Sequence, residues 1–200
     1  MTKAQRVWLL PILGAVLLLI AVALAATGAD DGILGVIIRA TGLLAYVTSF
    51  LAIVSAPFVR PLVRYFGRSF VKTHHAASIS ALVLMVLHPV ALAIRQGSLS
   101  VFVPATSSWR LFFLLGGRQA LYLFLVAALA AVLRAAWKGA WRQIHWLNYL
   151  AFWFATVHGI LIGSNLSGPV LRVVAIIMAA ITVLVLARKR LPRRQRRATS

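Results

Sequence analysis

Six runs of about 20 mostly apolar residues constrain this chain more than any other feature of it. They occupy residues 7–26, 33–56, 73–94, 118–135, 144–162 and 170–187. Wound at ~1.5 Å per residue, runs of this length reach across the ~30 Å hydrocarbon core of a bilayer. There the backbone must satisfy its own polar groups, and a helix does so within one segment. Composition points the same way: 62% of the 200 residues are hydrophobic, more than a soluble domain of this length can solvate. The expected fold is an all-α membrane protein, a bundle of six transmembrane helices. Residues 1–32 would be an N-terminal tail and first helix, 33–187 the main transmembrane domain, and 188–200 a basic tail.

The net charge of +19 raises the question of nucleic acid, and its placement answers it. Lys3, Arg6, Arg60, Arg64, Arg68, Lys72, Arg134, Lys138 and Arg142 fall in alternate links between spans, and Arg188, Lys189, Arg190, Arg193, Arg194, Arg196 and Arg197 follow the last span. These sixteen cations share one side. The other side carries Arg95, Arg110, Arg118 and Arg172, with Asp30 and Asp31 as the only acids. Such asymmetry is the positive-inside pattern, so both termini are expected in the cytoplasm. The tail can lean on anionic lipid, and no nucleic-acid partner is expected. The first run, with Lys3 and Arg6 before it and "ALAATGADD" at its end, also fits a cleaved signal, but it is long for one, and a retained helix is expected.

The chain has no cysteine, which removes disulfides, thiolate-bound clusters and thiol catalysis. Two adjacent aspartates make neither a membrane proton relay nor a carboxylate metal cage. The loop 95–117 carries two apolar segments, 101–103 and 109–115, suited to the interface, with Trp109 and Arg110 at headgroup level. No internal repeat and no glycine-rich nucleotide fingerprint is present, since "GILG" and "LLGG" lack a strand before them.

The five histidines are the remaining chemistry, and they fall on two spans. His74, His75 and His88 lie on the third, His145 and His158 on the fifth. Both spans run from the cytoplasm outward. His74 or His75 therefore shares the inner level with His145, and His88 shares the outer level with His158. The levels are ~20 Å apart along a helix. Facing imidazoles suit the two axial positions of a haem iron, and helix-bundle interiors supply such pairs. A set of two and two leaves zinc short of its usual ligands. At ~100° per residue, fourteen residues bring His74 and His88 to within about 40° of one face, whereas thirteen place His75 about 140° away. The thirteen residues between His145 and His158 would aim those rings apart on a straight helix. A bend, or sites offset around the helix, would accommodate them. Interior histidines that merely satisfy hydrogen bonds are the plainer alternative, in a haem-free transporter or assembly protein. A b561-like electron carrier is a third reading, although that fold spreads its ligands over four helices.

The segments "HHAASISALVLMVLHP", "GRQALYLFLVAALAAVLR" and "WRQIHWLNYLAFWFATVHGILIGS" give the chain a resemblance to the ferric-reductase-like transmembrane domain family. That family includes ferric reductases, NADPH oxidases and the haem-binding membrane subunit of the periplasmic methionine sulfoxide reductase system. The resemblance covers roughly 33–187. It implies b-type haems between spans three and five, two expected and one possible, in a bacterial plasma-membrane protein. His74 and His145 would ligate the inner haem iron, and His88 and His158 the outer one. His75 would replace His74 or meet a propionate. Many members continue into a flavin and nicotinamide domain, and no such site is expected in this chain. Electrons would come from a separate flavoprotein or quinol and leave to an outer-side acceptor.

Other positions fit the same picture. Arg39, inside the second span toward its outer end, is costly in lipid and would face the bundle, where a haem propionate suits it. Arg118 and Arg172 could serve likewise. Phe152, Trp153, Phe154 and Trp146 could pack on a porphyrin or simply on neighbouring helices. Pro89, directly after His88, would bend its span.

Overall fold

The computed structural model describes residues 32–67 and 69–190, together with Ile20 and Ala23 as separate helical positions. Apart from those two positions the expected first span lies outside the described residues, as do the tail from 191 onward and Asp30, Asp31 and Arg68. Every regular element among the described residues is helical. Helix α1 is Gly32–Ser55 and, after a 3₁₀ turn containing Pro57, α2 is Val59–Phe66. Helix α3 is Ser69–Gln96. A 3₁₀ turn at Leu99–Phe102 leads to α4, Trp109–Leu114, and α5, Gly116–Val132. Helices α6, Ala140–His145, and α7, Leu147–Ile162, precede a 3₁₀ turn at Asn165–Ser167 and α8, Pro169–Arg190.

Three of these runs are long and apolar enough to cross a membrane: Gly32–Phe66, Phe70–Gln96 and Pro169–Arg188. Helices α5 and α7 have 17 and 16 residues, or about 25 Å each, somewhat short of a full core. Each has a short helix before it, α4 and α6, that lengthens the run.

The packing is compatible with a membrane protein. Eleven of the nineteen buried hydrophobic residues are alanine, while Ile79, Ile94, Val132 and Leu184 are more than 60% exposed. Small residues let helices approach closely where no hydrophobic effect drives them together, and the large aliphatic side chains face outward. Helix α1 packs mainly along α3, and α5 along α7, with α8 against α7 and α1. The two pairs meet at Phe152, which is fully buried and stacked on Tyr46 at 4.6 Å between ring centroids. The Tyr46 hydroxyl lies 2.9 Å from Thr156 Oγ1 and 3.3 Å from the Ala175 carbonyl, so it ties α1 to α7 and α8.

Local chemistry sets where the helices stop. Gly67 (φ 80°) ends α2 and Gly97 (φ 60°) ends α3, in the left-handed region that favours glycine at a helix C-terminus. Ser108 caps α4 by accepting from the Leu111 N–H at 3.2 Å. The expected fifth span is not one helix. It breaks at Trp146, whose N–H donates to Gln143 O at 3.1 Å, while the Tyr149 N–H donates to Trp146 O at 3.0 Å. Both bonds span three residues, the spacing of a 3₁₀ turn. His145 therefore ends one helix and His158 sits on another, and the straight-helix geometry that would aim them apart does not apply.

Candidate functional site

A cavity of about 420 Å³ lies between the two helix pairs, within the size range of small-molecule and cofactor sites. All four long helices of the pairs contribute. Helix α1 brings Arg39, Gly42, Tyr46 and Ser49; α3 brings Met85, His88, Pro89 and Gln96; α5 brings Gly117, Arg118 and Phe124; and α7 brings Phe152, Ala155 and His158. Val101 lines part of it from the 95–108 connection, and Gln96 and Ser164 line it at the end where that connection and the α7–α8 turn lie.

His88 and His158 thus line one cavity from opposite helices. Each ring has its Nδ1 on a main-chain carbonyl of a neighbouring helix. His88 Nδ1 lies 2.9 Å from Ile38 O, and His158 Nδ1 lies 3.0 Å from Leu114 O. A carbonyl only accepts, so Nδ1 must carry the proton in each neutral ring, and Nε2 keeps its lone pair. This is the usual arrangement behind a metal-ligating histidine, where the second nitrogen donates to a carbonyl and fixes the tautomer.

The second pair lies at the far end. His74 on α3 and His145 at the end of α6 are near enough to interact electrostatically. His145 Nδ1 is 3.0 Å from Ala127 O. Asn148 donates to the His145 carbonyl at 2.9 Å and holds its amide nitrogen 3.3 Å from both ring nitrogens, in line with neither lone pair. His74 Nδ1 has the Ser55 hydroxyl at 3.4 Å, a longer contact than an ordinary hydrogen bond. His75 is exposed, whereas His74 is half-buried. The two rings sit 6.1 Å apart and point to different sides of α3. His74 and His88, by contrast, both reach α1, as their fourteen-residue spacing implies.

The supporting residues divide. Arg39 is buried, at 8% exposure, and lines the cavity. No carboxylate side chain occurs among the described residues, so this end of the cavity is electropositive. Arg118 also lines it and donates to the Val103 carbonyl. Arg172 instead has the Ser167 carbonyl at 3.5 Å and is not part of the cavity wall. Of the four aromatic residues singled out in sequence, Phe152 lines the cavity. Phe154 packs on Phe112 and Phe113 of α4, and Trp146 and Trp153 are exposed.

Two residues that shape the site escape sequence reasoning, Gly42 and Gly117. Each lies directly against a histidine ring. A methyl group at Gly42 would come within 3.0 Å of His88, and one at Gly117 within 2.8 Å of His158. The available signal was a glycine inside a helical pattern, which costs about 1 kcal/mol against alanine and often marks a close approach.

Among the described residues no three metal-ligating side chains cluster, and the rings come in twos. Two neutral imidazoles across an apolar, slightly basic cavity fit a flat metal complex that brings its own equatorial ligands and acidic side groups. They do not complete a bare-ion site. Set against known family models, curated proteins and solved structures, the chain matches none.

Proposed function

We propose that this protein is a multi-pass membrane cytochrome b that carries electrons across the bilayer through bis-histidine haems, in the manner of the ferric-reductase-like domain. The observation that carries this reading is the pairing of His88 with His158 across one cavity, each with Nδ1 on a main-chain carbonyl. Haem bound between them would supply a reversible one-electron store. The protein's part is to present two Nε2 lone pairs, to keep the walls apolar with Phe124, Phe152 and Ala155, and to offer Arg39 and Arg118 to the propionates. His74 and His145, with Asn148 and Ala127 behind them, form the second level in this reading. The six-span count follows if the paired runs 109–132 and 140–162 each cross. Both termini then lie in the cytoplasm with most of the cations. The donor is a separate flavoprotein or quinol on the cytoplasmic side, and the acceptor is met on the outer side near Gln96 and Ser164.

The test is the visible spectrum of the full chain purified from haem-replete cells. It should be red, with a Soret band that sharpens and shifts on dithionite reduction, and pyridine haemochrome assay should count two haems per chain. His88→Ala and His158→Ala should each remove one haem and leave the other. A colourless preparation would sink the reading in favour of a haem-free transporter or assembly protein.

A further inference from the structure

We infer that Gly42 and Gly117 are positioning residues: each uncovers one main-chain carbonyl so that a histidine ring can reach it, and so selects the tautomer that leaves Nε2 free for a metal. The inference deepens the proposed haem site and rests on that reading for its purpose, though not for its geometry.

A carbonyl at position i points toward residues i+3 and i+4, and the side chains there cover whatever the intrahelical bond leaves open. Gly42 stands four residues after Ile38 on the same helix, and Gly117 stands three residues after Leu114, just across the α4–α5 junction. Those are the two carbonyls that meet His88 and His158 Nδ1, at 2.9 and 3.0 Å. Leu114 is the last residue of α4, where helix carbonyls lack ladder partners, so the ring of His158 meets a group that needs a donor. The missing side chains are where the rings are. A Cβ on Gly117 would lie 2.8 Å from both Cδ2 and Nε2 of His158, and one on Gly42 would lie 3.0 Å from Nδ1 and 3.2 Å from Cε1 of His88. Carbon atoms pack at about 3.5–4.0 Å, so neither methyl fits without moving a ring. Equal distances to Cδ2 and Nε2 place the Gly117 position over the face of His158, not along the Nε2 lone pair. The glycine therefore clears the ring's seat and leaves its ligating direction open. The same device occurs twice, on two different helices, for the two rings that share one cavity.

Without the carbonyl bond a neutral imidazole is free to hold its proton on Nε2, and that tautomer turns an N–H, not a lone pair, into the cavity. Gly42→Ala should thus disturb His88 alone, and Gly117→Ala should disturb His158 alone. Gly139→Ala, where an added methyl meets nothing within 4 Å, is the control.

The experiment is ¹⁵N-histidine NMR on the full chain in lipid nanodiscs, prepared from haem-deficient cells. In the wild type, His88 and His158 should show a protonated Nδ1 and an unprotonated Nε2. Gly42→Ala and Gly117→Ala should each move one ring to mixed tautomers, and Gly139→Ala should move neither. In haem-replete protein each of the two variants should lose one haem per chain, or broaden one low-spin EPR signal. Wild-type rings protonated on Nε2 would overturn the inference, as would folded variants with unchanged tautomers. If the variants fail to fold, pairing Gly42→Ala with His88→Ala and Gly117→Ala with His158→Ala should restore folding, since the ring that the methyl meets is then gone; double variants that still fail to fold would overturn the inference. Correct tautomers in a protein that never takes up haem would leave the glycine device standing and overturn the haem reading instead.

Discussion

Arg39 and Phe152 show how single residues shape this site. Arg39 is a buried cation on a wall shared with His88 and His158, and a nearby positive charge favours the more negative, reduced state of a haem iron. Arg39→Gln should therefore lower the midpoint potential of one haem, by an amount on the order of 1 kcal/mol in driving force at an effective dielectric near 20. A potentiometric titration reads this directly, and an unchanged potential would place Arg39 outside the haem's field. Phe152 is fully buried and stacked on Tyr46. Phe152→Ala should cost about 3–5 kcal/mol, visible as a large drop in thermal stability in detergent. At this scale the histidines were legible in the sequence, because titratable rings are scarce in apolar runs and these stand at matched depths on two spans. Rotation along the helix also sets His74 apart from His75, and the structure adds that His74 is half-buried where His75 is exposed. Gly42 and Gly117 were not. The chain has 13 glycines, and nothing in the sequence says which of them lies beside a carbonyl that a distant ring will reach.

Helices were legible where apolar runs are long, and breaks were not. The expected spans at 33–56 and 73–94 match α1 and α3 to within a turn, with α3 running on from Ser69 to Gln96 through Pro89. The expected 144–162 span conceals the junction of α6 and α7, because "QIHWLN" holds neither proline nor glycine. The turn at Trp146 is made by main-chain bonds three residues apart and by Asn148, whose amide donates to the last carbonyl of α6 at 2.9 Å. That bond spans the break, so it holds the end that carries His145 to the start of α7. Asn148→Ala should cost about 1 kcal/mol in stability. It should also shift the spectrum or potential of the haem at the His74–His145 level while sparing the one between His88 and His158. A change confined to the His88–His158 haem would contradict this account of the break. The amphipathic helix α2, with Arg60 and Arg64 exposed on one face, was likewise hidden, since a basic link between spans reads first as topology.

The whole molecule raises the question of how many times the chain crosses. Three runs have the length and hydropathy to span a membrane alone, whereas α5 and α7 reach a full span when α4 and α6 are counted with them. The cavity bears on the six-span arrangement proposed above. Its walls come from α1, α3, α5 and α7 together, so under the proposed topology α5 and α7 lie beside α1 and α3 and cross with them. A re-entrant α5 or α7 would return both of its ends to one side. The link after α3 and the link after α7 would then no longer face the same compartment, yet residues of both line one cavity. The absence of cysteine makes the test free of background. Single cysteines at Ser107 and Ser164, both exposed, should react with a membrane-impermeant maleimide in intact cells. One at Ala136, also exposed and on the opposite link, should react only after permeabilisation. Labelling of Ala136→Cys in intact cells, together with Ser107→Cys, would mean that α5 does not cross, and the transmembrane electron path would lose its second level.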